Sequence, residues 1–281
     1  MKLACAADEV TSVTPDEVRS VLDRDEKGEY LLLDVRQPEE YEASHIPGAM
    51  LIPLGELEAR QRELDRSKKI ITYCRSGHRS MAAAVVLCGL GFKNLYSLDG
   101  GILNWSYGII GGTPERIPGL VTETAAVADI VVLAIKLEKG SRDFYLAAME
   151  SASLPRTKEM YRMLADAEDE HVRRLYGQAI SLLGEGALPP REQFVRELQV
   201  ERMEGGVEVS PAVAGVKKEV SGEMEALEIA LEREYMSYDF YRRASALVEK
   251  EDARRLLHEL AWEERKHADV LLRQMAEVVR R

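Results

Sequence analysis

The second half of the chain repeats one pattern of acidic residues and histidines at a fixed spacing. In each copy a single Glu precedes a Glu-x-x-His motif by 30 residues, and the two copies are 96 residues apart. Other positions repeat at the same offset, so that Asp143-Phe144-Tyr145 corresponds to Asp239-Phe240-Tyr241. The fold of this half must therefore bring two similar parts together. The repeated ligand-type residues are Glu138, Glu168, His171, Glu234, Glu264 and His267.

The spacing within each motif predicts helices that carry metal ligands on one face. A Glu and a His three residues apart lie on the same side of a helix. Two Glu-x-x-His helices and one Glu from each of two further helices form the ligand set of ferritin-like proteins that hold two irons or manganeses. A solvated face paired with Lys or Arg is the alternative for one such motif, but two motifs in register favour a metal site. A metal would also supply the partner that buried carboxylates need.

Two tyrosines also belong to the repeat. Tyr145 and Tyr241 each follow the single Glu of their copy by seven residues, which places them on nearly the same helix face as that Glu. Either they hydrogen-bond to the ligands or they are ordinary core residues.

Residues 115–281 contain the helix start and stop signals expected of an all-α four-helix bundle. Capping residues, Pro and Gly predict helices from about 122 to 153, from 155 to 183, from after 218 to about 250, and from there to the C-terminus. The connection from 185 to 218 is too long for a hairpin, and we expect a short helix within it at about 192–203. Such a connection can return along the bundle and begin a parallel neighbour.

The first 110 residues have the pattern of an α/β domain. Apolar runs at 31–35, 70–73 and 94–98 predict strands, and strands that are apolar on both faces belong to a parallel sheet covered by helices. A segment rich in Gly and Pro, 108–119, separates this region from the predicted bundle. We therefore predict two domains, 1–114 and 115–281.

The loop between the second predicted strand and the next helix contains the residues best suited to chemistry. Backbone N–H groups and the dipole at the helix N-terminus favour the thiolate form of Cys74, and two Arg residues of the loop add positive charge. His78 is either a substrate contact or a surface residue. The six-residue loop runs from Cys74 to Arg79 within the segment Cys74-Arg75-Ser76-Gly77-His78-Arg79-Ser80.

Residues 10–110 resemble a rhodanese domain. The resemblance rests on Asp34-Val35-Arg36, on 38–41 and 45–49, on Asp99-Gly100-Gly101-Ile102 with Trp105, and on the loop. It implies sulfur transfer through a persulfide on Cys74, from thiosulfate or another sulfane-sulfur donor to a thiol acceptor. The six-residue loop has the size associated with sulfur, whereas related phosphatases have a longer one. The active-site residues that the resemblance implies are Cys74, Arg75, Ser76, Gly77, His78 and Arg79.

Residues 120–281 resemble the rubrerythrin and bacterioferritin branch of the ferritin-like families, on the six repeated residues and the single long crossover. The resemblance implies two iron ions, or manganese, with Glu168 and Glu264 as bridging ligands, Glu138 and Glu234 as terminal ligands and one His on each metal. It also implies reaction with peroxide or oxygen. Ser237 departs from rubrerythrin, which has a further Glu there, and the paired cysteines of a rubredoxin module are missing. An external electron donor is therefore expected, and no organic cofactor.

Composition excludes some classes of function. The formal net charge is -11 and Lys and Arg are not clustered, which disfavours binding to nucleic acid. The longest apolar stretch, 125–135, contains Asp129 and is too short to span a bilayer, so we expect a cytoplasmic protein that does not bind membranes. A homodimer is expected, because a long crossover permits helix exchange between chains.

These observations predict a rhodanese-type sulfurtransferase fused to a non-haem diiron peroxidase or oxidase, with a role in oxidative stress or sulfur redox metabolism. Sulfane sulfur on Cys74 would then be one source of electrons for the metals. Two alternatives stay open. One is iron storage with ferroxidase activity, and the other is a redox sensor whose metal state controls the rhodanese domain.

Overall fold

The computed structural model describes residues 10–25, 27–112, 120–219 and 222–280. The chain divides into two compact units, Met1–Glu115 and Arg116–Arg281. The predicted domain boundary at 114–115 falls within 113–119, outside the described residues.

The described residues of the first unit form a five-stranded sheet. The strand order is β1-β5-β4-β2-β3, and every pairing is parallel. The predicted parallel sheet is therefore confirmed, and its three predicted strands are present with bounds shifted by a residue. The two strands that were not predicted are the short ones at the sheet edges. The strands are β1 (Thr11–Val13), β2 (Tyr30–Asp34), β3 (Met50–Leu51), β4 (Lys69–Tyr73) and β5 (Leu95–Leu98).

Neighbouring residues of the central strands enter different hydrophobic cores. Leu33 and Ile70 belong to one cluster, whereas Leu32 and Ile71 belong to another. Because successive side chains of a strand point to opposite faces, a strand buried on both faces is apolar throughout. Within the described part of this unit, four α-helices accompany the sheet: α1 (Pro15–Leu22), α2 (Pro38–Ala43), α3 (Leu57–Arg60) and α4 (His78–Gly89).

The second unit is a ferritin-like four-helix bundle, as predicted. Among its described residues, α5 packs against α6 and α9 packs against α10, which gives two hairpins that correspond to the two sequence repeats. The first long helix begins later than predicted, at Val127, after the extended residue Ala126. No helix of the described ranges combines the length and the apolar character needed to cross a membrane. The helices are α5 (Val127–Ser151), α6 (Pro155–Leu183), α7 (Arg191–Glu197), α8 (Val209–Glu219), α9 (Glu223–Leu247) and α10 (Glu251–Arg280).

The crossover between α6 and α9 contains α7, a buried turn and α8. The predicted short helix is present but ends at Glu197, before the chain becomes extended at Leu198. The turn is closed by a hydrogen bond from Met203 N to Val207 O at 2.8 Å, and it includes a 3-10 segment, Glu204–Gly206. We call residues 202–208 the crossover turn. Neither it nor α8 was predicted.

Candidate functional site

Cys74 directly follows the carboxyl end of β4, and α4 begins four residues later at His78. Its side chain is buried, and the Gly77 N–H donates to its sulfur at 3.2 Å. Gly77 has a φ of +93°, a left-handed conformation that favours glycine and turns its N–H toward the sulfur at the start of α4. The local sequence therefore builds a thiol held at a helix N-terminus.

A second segment fixes the shape of this loop from the other side. Ile102 N donates to Cys74 O at 2.8 Å, and Leu103 N donates to Arg75 O at 3.1 Å. A Cβ on Gly101 would lie 2.3 Å from Cys74 O, so only glycine permits this approach. The Asp99-Gly100-Gly101-Ile102 motif thus has a structural reason, which is to support the loop that carries Cys74.

Hydrogen bonds favour the thiolate of Cys74. Burial is the largest influence and raises the pKa of this thiol, but the backbone and hydroxyl of Ser80 and the backbones of Ser76 and Gly77 together outweigh it, so the pKa lies below its usual value. The Ser80 hydroxyl accepts from Ser97 at 3.0 Å and donates to Gly77 O at 2.9 Å, which fixes its position beside the loop. A lowered thiol pKa is typical of a reactive cysteine.

The other predicted residues of the loop have different environments. Arg75, Ser76 and His78 are exposed, and the Ser76 hydroxyl lies 3.2 Å from His78 Nδ1. Arg79 forms a bidentate pair with Glu40, at 2.7 and 2.8 Å. This hydrogen bond lowers the pKa of Glu40 to about 2. The Glu40 carboxylate therefore partly neutralises the positive charge of Arg79. The sequence pattern did not indicate this pairing.

The second unit brings its six repeated residues together in its interior. They form two overlapping clusters in which the candidate ligand atoms lie within 4.8 Å of one another. One cluster has Glu138 and His171, the other has Glu234 and His267, and both contain Glu168 and Glu264. Two ions that share two carboxylates fit this arrangement.

The histidines face the carboxylates through the same ring atom. His171 Nδ1 lies 2.9 Å from Glu138 Oε2, and His267 Nδ1 lies 3.1 Å from Glu234 Oε2. The two rings are stacked, with centroids 5.1 Å apart and planes 9° from parallel. Each helix hairpin therefore supplies one His and its neighbouring Glu in matching geometry.

The repeated tyrosines connect the two hairpins. Tyr145 of α5 donates to Glu234 of α9, and Tyr241 of α9 donates to Glu138 of α5 at 3.1 Å. Each hydroxyl thus orients a carboxylate of the opposite repeat. Of the two roles that the sequence left open, the hydrogen bonds favour contact with the ligands, although both rings are also fully buried.

The carboxylates of the cluster fall into two electrostatic classes. Burial raises the pKa of all of them, but interactions with His171 and His267 outweigh it and lower the pKa of Glu138 and Glu234. The pKa of Glu264 is raised by burial and by the neighbouring carboxylates. That of Glu168 is raised for the same reasons. The histidines also lie near the shared carboxylates, with His171 Nδ1 3.3 Å from Glu168 Oε2 and 3.7 Å from Glu264 Oε1. Burial and the neighbouring negative charges nevertheless dominate at Glu168 and Glu264.

The donor set has the features that a pair of metal ions requires. Glu168 Oε2 and both side-chain oxygens of Glu264 are buried and have no hydrogen-bond partner among the described residues. Buried carboxylate oxygens without a partner are costly unless a cation binds them. Oxygen and imidazole nitrogen donors suit iron or manganese, so the residues fit a site for these metals.

The outer contacts of the two histidines differ. His171 Nε2 lies 3.5 Å from Glu263 Oε2, and Glu263 in turn pairs with Arg174. The positions that correspond to Glu263 and Arg174 in the repeat are Ala167 and Val270. The two candidate metal positions are therefore alike in their candidate ligands but unequal in their surroundings.

One residue near the cluster was missed by the sequence analysis. Glu204, in the crossover turn, is 2% exposed, and both of its side-chain oxygens lack a hydrogen-bond partner among the described residues. It lies outside the repeated pattern, so the spacing could not indicate it. The available signal was a Glu followed by Gly205-Gly206 in a connection that otherwise has no reason to be buried.

Fold and site together define a class of protein in which a rhodanese-like α/β domain precedes a ferritin-like bundle with a buried carboxylate–histidine cluster. Family models agree with this order. The model described as Rhodanese-like domain matches residues 15–107, and the model described as Rubrerythrin matches residues 129–275. The second match covers 147 of 281 residues, and the chain belongs to the rubrerythrin family.

Individual relatives match through part of their length. The Bacillus subtilis protein YrkF, whose name marks it as a candidate sulfur carrier, is 38% identical over 100 residues, 36% of this chain and 53% of that protein. The thiosulfate sulfurtransferase GlpE of Pseudomonas syringae is 37% identical over 75 residues, 27% of this chain and 71% of that protein. The chain thus spans about half the length of the first of these relatives.

A solved structure is also similar. It is a rhodanese-related protein from Thermoplasma volcanium, with 31% identity, a TM-score of 0.32, and coverage of 36% of this chain and 97% of that one.

Proposed function

We propose that the first unit transfers sulfane sulfur through a persulfide on Cys74. The observation that carries this proposal is the thiol at the N-terminus of α4, which has a lowered pKa and accepts the Gly77 N–H at 3.2 Å. The same N–H groups that favour a thiolate also stabilise the anionic outer sulfur of a persulfide. The match to a thiosulfate sulfurtransferase supports thiosulfate as the donor.

The reaction has two displacements at sulfur. First, the Cys74 thiolate attacks the outer sulfur of thiosulfate, the S–S bond of the donor breaks, and sulfite leaves with its electron pair. Next, the thiolate of an acceptor attacks the outer sulfur of the persulfide, and Cys74 leaves as a thiolate. The first displacement consumes one sulfane sulfur and the second releases it, so no outside oxidant or reductant is needed.

The second proposal is that the bundle holds two iron ions, with manganese as the alternative metal, and reacts with peroxide or oxygen. Glu138 and His171 would hold one ion, Glu234 and His267 the other, and Glu168 and Glu264 would contact both. When bound, two ferrous ions would supply the two electrons that, together with two protons, convert one hydrogen peroxide into two water molecules. The unpaired oxygens of the shared carboxylates are the observation that supports metal binding most directly.

The protein residues prepare this site in three ways. Tyr145 and Tyr241 orient the outer carboxylates and keep two hydroxyl protons close to them. His171 Nδ1 lies on the side of the cluster, so a neutral ring that held a metal there would keep its proton on Nε2, which lies 3.5 Å from Glu263 Oε2. Burial of the cluster excludes bulk water, which strengthens each of these electrostatic interactions.

Two sets of variants test both proposals in the full chain. Cys74→Ser should abolish persulfide formation from thiosulfate, detected by mass, and leave iron binding intact. Glu168→Gln with Glu264→Gln should abolish the binding of two irons under anaerobic conditions and leave sulfur transfer intact. A wild-type protein that forms no persulfide, or that binds no metal, would refute the corresponding proposal.

Peroxide titration of the iron-loaded protein separates the remaining functions. Sustained consumption of peroxide with two irons per chain would support a peroxidase, whereas accumulation of many irons per chain would indicate storage. Little turnover together with a metal-dependent rate of sulfur transfer would indicate a sensor. If Cys74→Ser leaves peroxide consumption with sulfane donors unchanged, the two activities are independent.

A further inference from the structure

The crossover turn is inserted between the two helices that carry the single Glu residues of the repeat. A Cβ on Gly140 of α5 would lie 2.6 Å from Arg202 O, and a Cβ on Gly205 would lie 2.8 Å from the Cβ of Met236 of α9. Gly140 and Met236 are equivalent positions, 96 residues apart. The turn therefore touches both halves of the repeat at matching places.

This position brings Glu204 to the metal cluster. Gly140 and Met236 each follow a candidate ligand, Glu138 or Glu234, by two residues. Glu204 lies between the two contacts that the turn makes, and its charge interacts with Glu138, Glu264 and Glu234. It is thus a buried carboxylate whose charge acts on the candidate ligands, contributed by a segment outside the four long helices.

Among the described residues, the Glu204 carboxylate has no hydrogen-bond partner. Both of its oxygens are buried. The nearby Tyr241 hydroxyl favours its ionised form, but this hydroxyl donates to Glu138 at 3.1 Å. Glu208, in the same turn, is 60% exposed in its side chain and pairs with Arg202. The turn therefore exposes one of its two carboxylates to solvent and buries the other.

We propose that Glu204 is a further ligand of the dimetal centre, supplied by the crossover and shared by the two halves of the repeat. This inference rests on the metal binding proposed above. A metal ion would pair with the buried carboxylate of Glu204. It would also explain why the crossover turn, which has no helical periodicity, is buried.

The charge of Glu204 has a consequence for the oxidation state of the metals. The four carboxylates of the repeat balance two divalent ions. With Glu204 there are five, which leaves one negative charge with two divalent ions and one positive charge with two trivalent ions. Without Glu204 the trivalent pair would have two uncompensated positive charges. Glu204 therefore favours the oxidised pair and lowers the reduction potential of the centre.

The test compares Glu204→Gln with Glu208→Gln in the full chain. Gln keeps the size of Glu204 and removes its charge, and Glu208→Gln makes the same change on the exposed side of the same turn. Thermal unfolding of the metal-free proteins checks that both variants fold. Metal binding is measured by anaerobic titration with Co(II) and Fe(II), and the midpoint potential by spectroelectrochemical titration of the iron-loaded proteins.

We expect Glu204→Gln to weaken the binding of at least one ion by roughly 10- to 100-fold and to move the midpoint to a more positive potential. Glu208→Gln should match the wild type in both measurements. Wild-type affinity and midpoint in Glu204→Gln would overturn the inference alone. A wild-type chain that binds neither metal would overturn the proposed metal function, and this inference with it.

Discussion

The close contact between the crossover turn and α5 can be tested by replacing Gly140 with Ala. A Cβ there would lie 2.6 Å from Arg202 O and 2.7 Å from Met203 Cα, both backbone atoms that cannot rotate away. Helix propensity favours the substitution by about 0.5–1 kcal/mol. Overpacking costs about 1–3 kcal/mol. Because the second effect is larger, we expect Gly140→Ala to lower the free energy of unfolding.

Gly177→Ala is the matched control. Gly177 also lies inside a long helix, α6, but nothing lies within 4 Å of the Cβ that Ala would add. This variant should gain the same helix propensity without the contact and become more stable. The helix contribution cancels between the two variants, so their difference isolates the contact, at about 1–3 kcal/mol.

Thermal unfolding of the metal-free chain, followed by helical circular dichroism, measures this difference. With roughly 2–4 °C per kcal/mol for a domain of this size, Gly140→Ala should melt about 2–12 °C below Gly177→Ala. A melting temperature for Gly140→Ala equal to or above that of Gly177→Ala would refute the close packing. Iron titration adds a second readout, because displacement of the turn should also weaken metal binding.

Three further predictions concern the two sites. The rate of Cys74 alkylation should have its pH midpoint below that of a free cysteine, because the thiol pKa is lowered. Ser80→Ala should move this midpoint upward, and a stopped-flow pH series in which the variant keeps the wild-type midpoint would contradict the prediction. Gly101→Ala should abolish sulfur transfer at unchanged helix content, since its Cβ would meet Cys74 O at 2.3 Å, and activity near that of the wild type would show that the loop can yield. Tyr241→Phe should remove a buried hydrogen bond to Glu138, at a cost of about 1.5–3 kcal/mol measured by denaturant unfolding, and a loss below about 0.5 kcal/mol would mean that the hydroxyl does not stabilise the carboxylate.

The bundle was predictable because helical ligands obey a strict period. Glu168 and His171 must lie on one face of α6, and the copy at 264–267 repeats the requirement in α10. This spacing can be recognised without knowing any tertiary contact. The sequence alone therefore identified the residues that the structure brings together. Their roles as ligands stay predictions.

The features that sequence reasoning missed depend on contacts between distant segments. Glu204 has no copy in the repeat, and its burial follows from the packing of a turn against Gly140 and Met236. The edge strands Thr11–Val13 and Met50–Leu51 are too short to establish a period and form only beside a longer strand. The pairing of Arg79 with Glu40 joins α4 to α2, which no local pattern encodes.

The reciprocal tyrosine hydrogen bonds between the two hairpins have a consequence for how metal ions bind. Tyr145 orients a carboxylate of the opposite repeat, and Tyr241 does the same in return. Glu168 and Glu264 likewise belong to both clusters. Neither half is therefore an independent site: an ion that orders the shared groups also prepares the ligands of the second. We expect binding of the two ions to be positively cooperative, with the singly loaded chain a minor species at every concentration of metal.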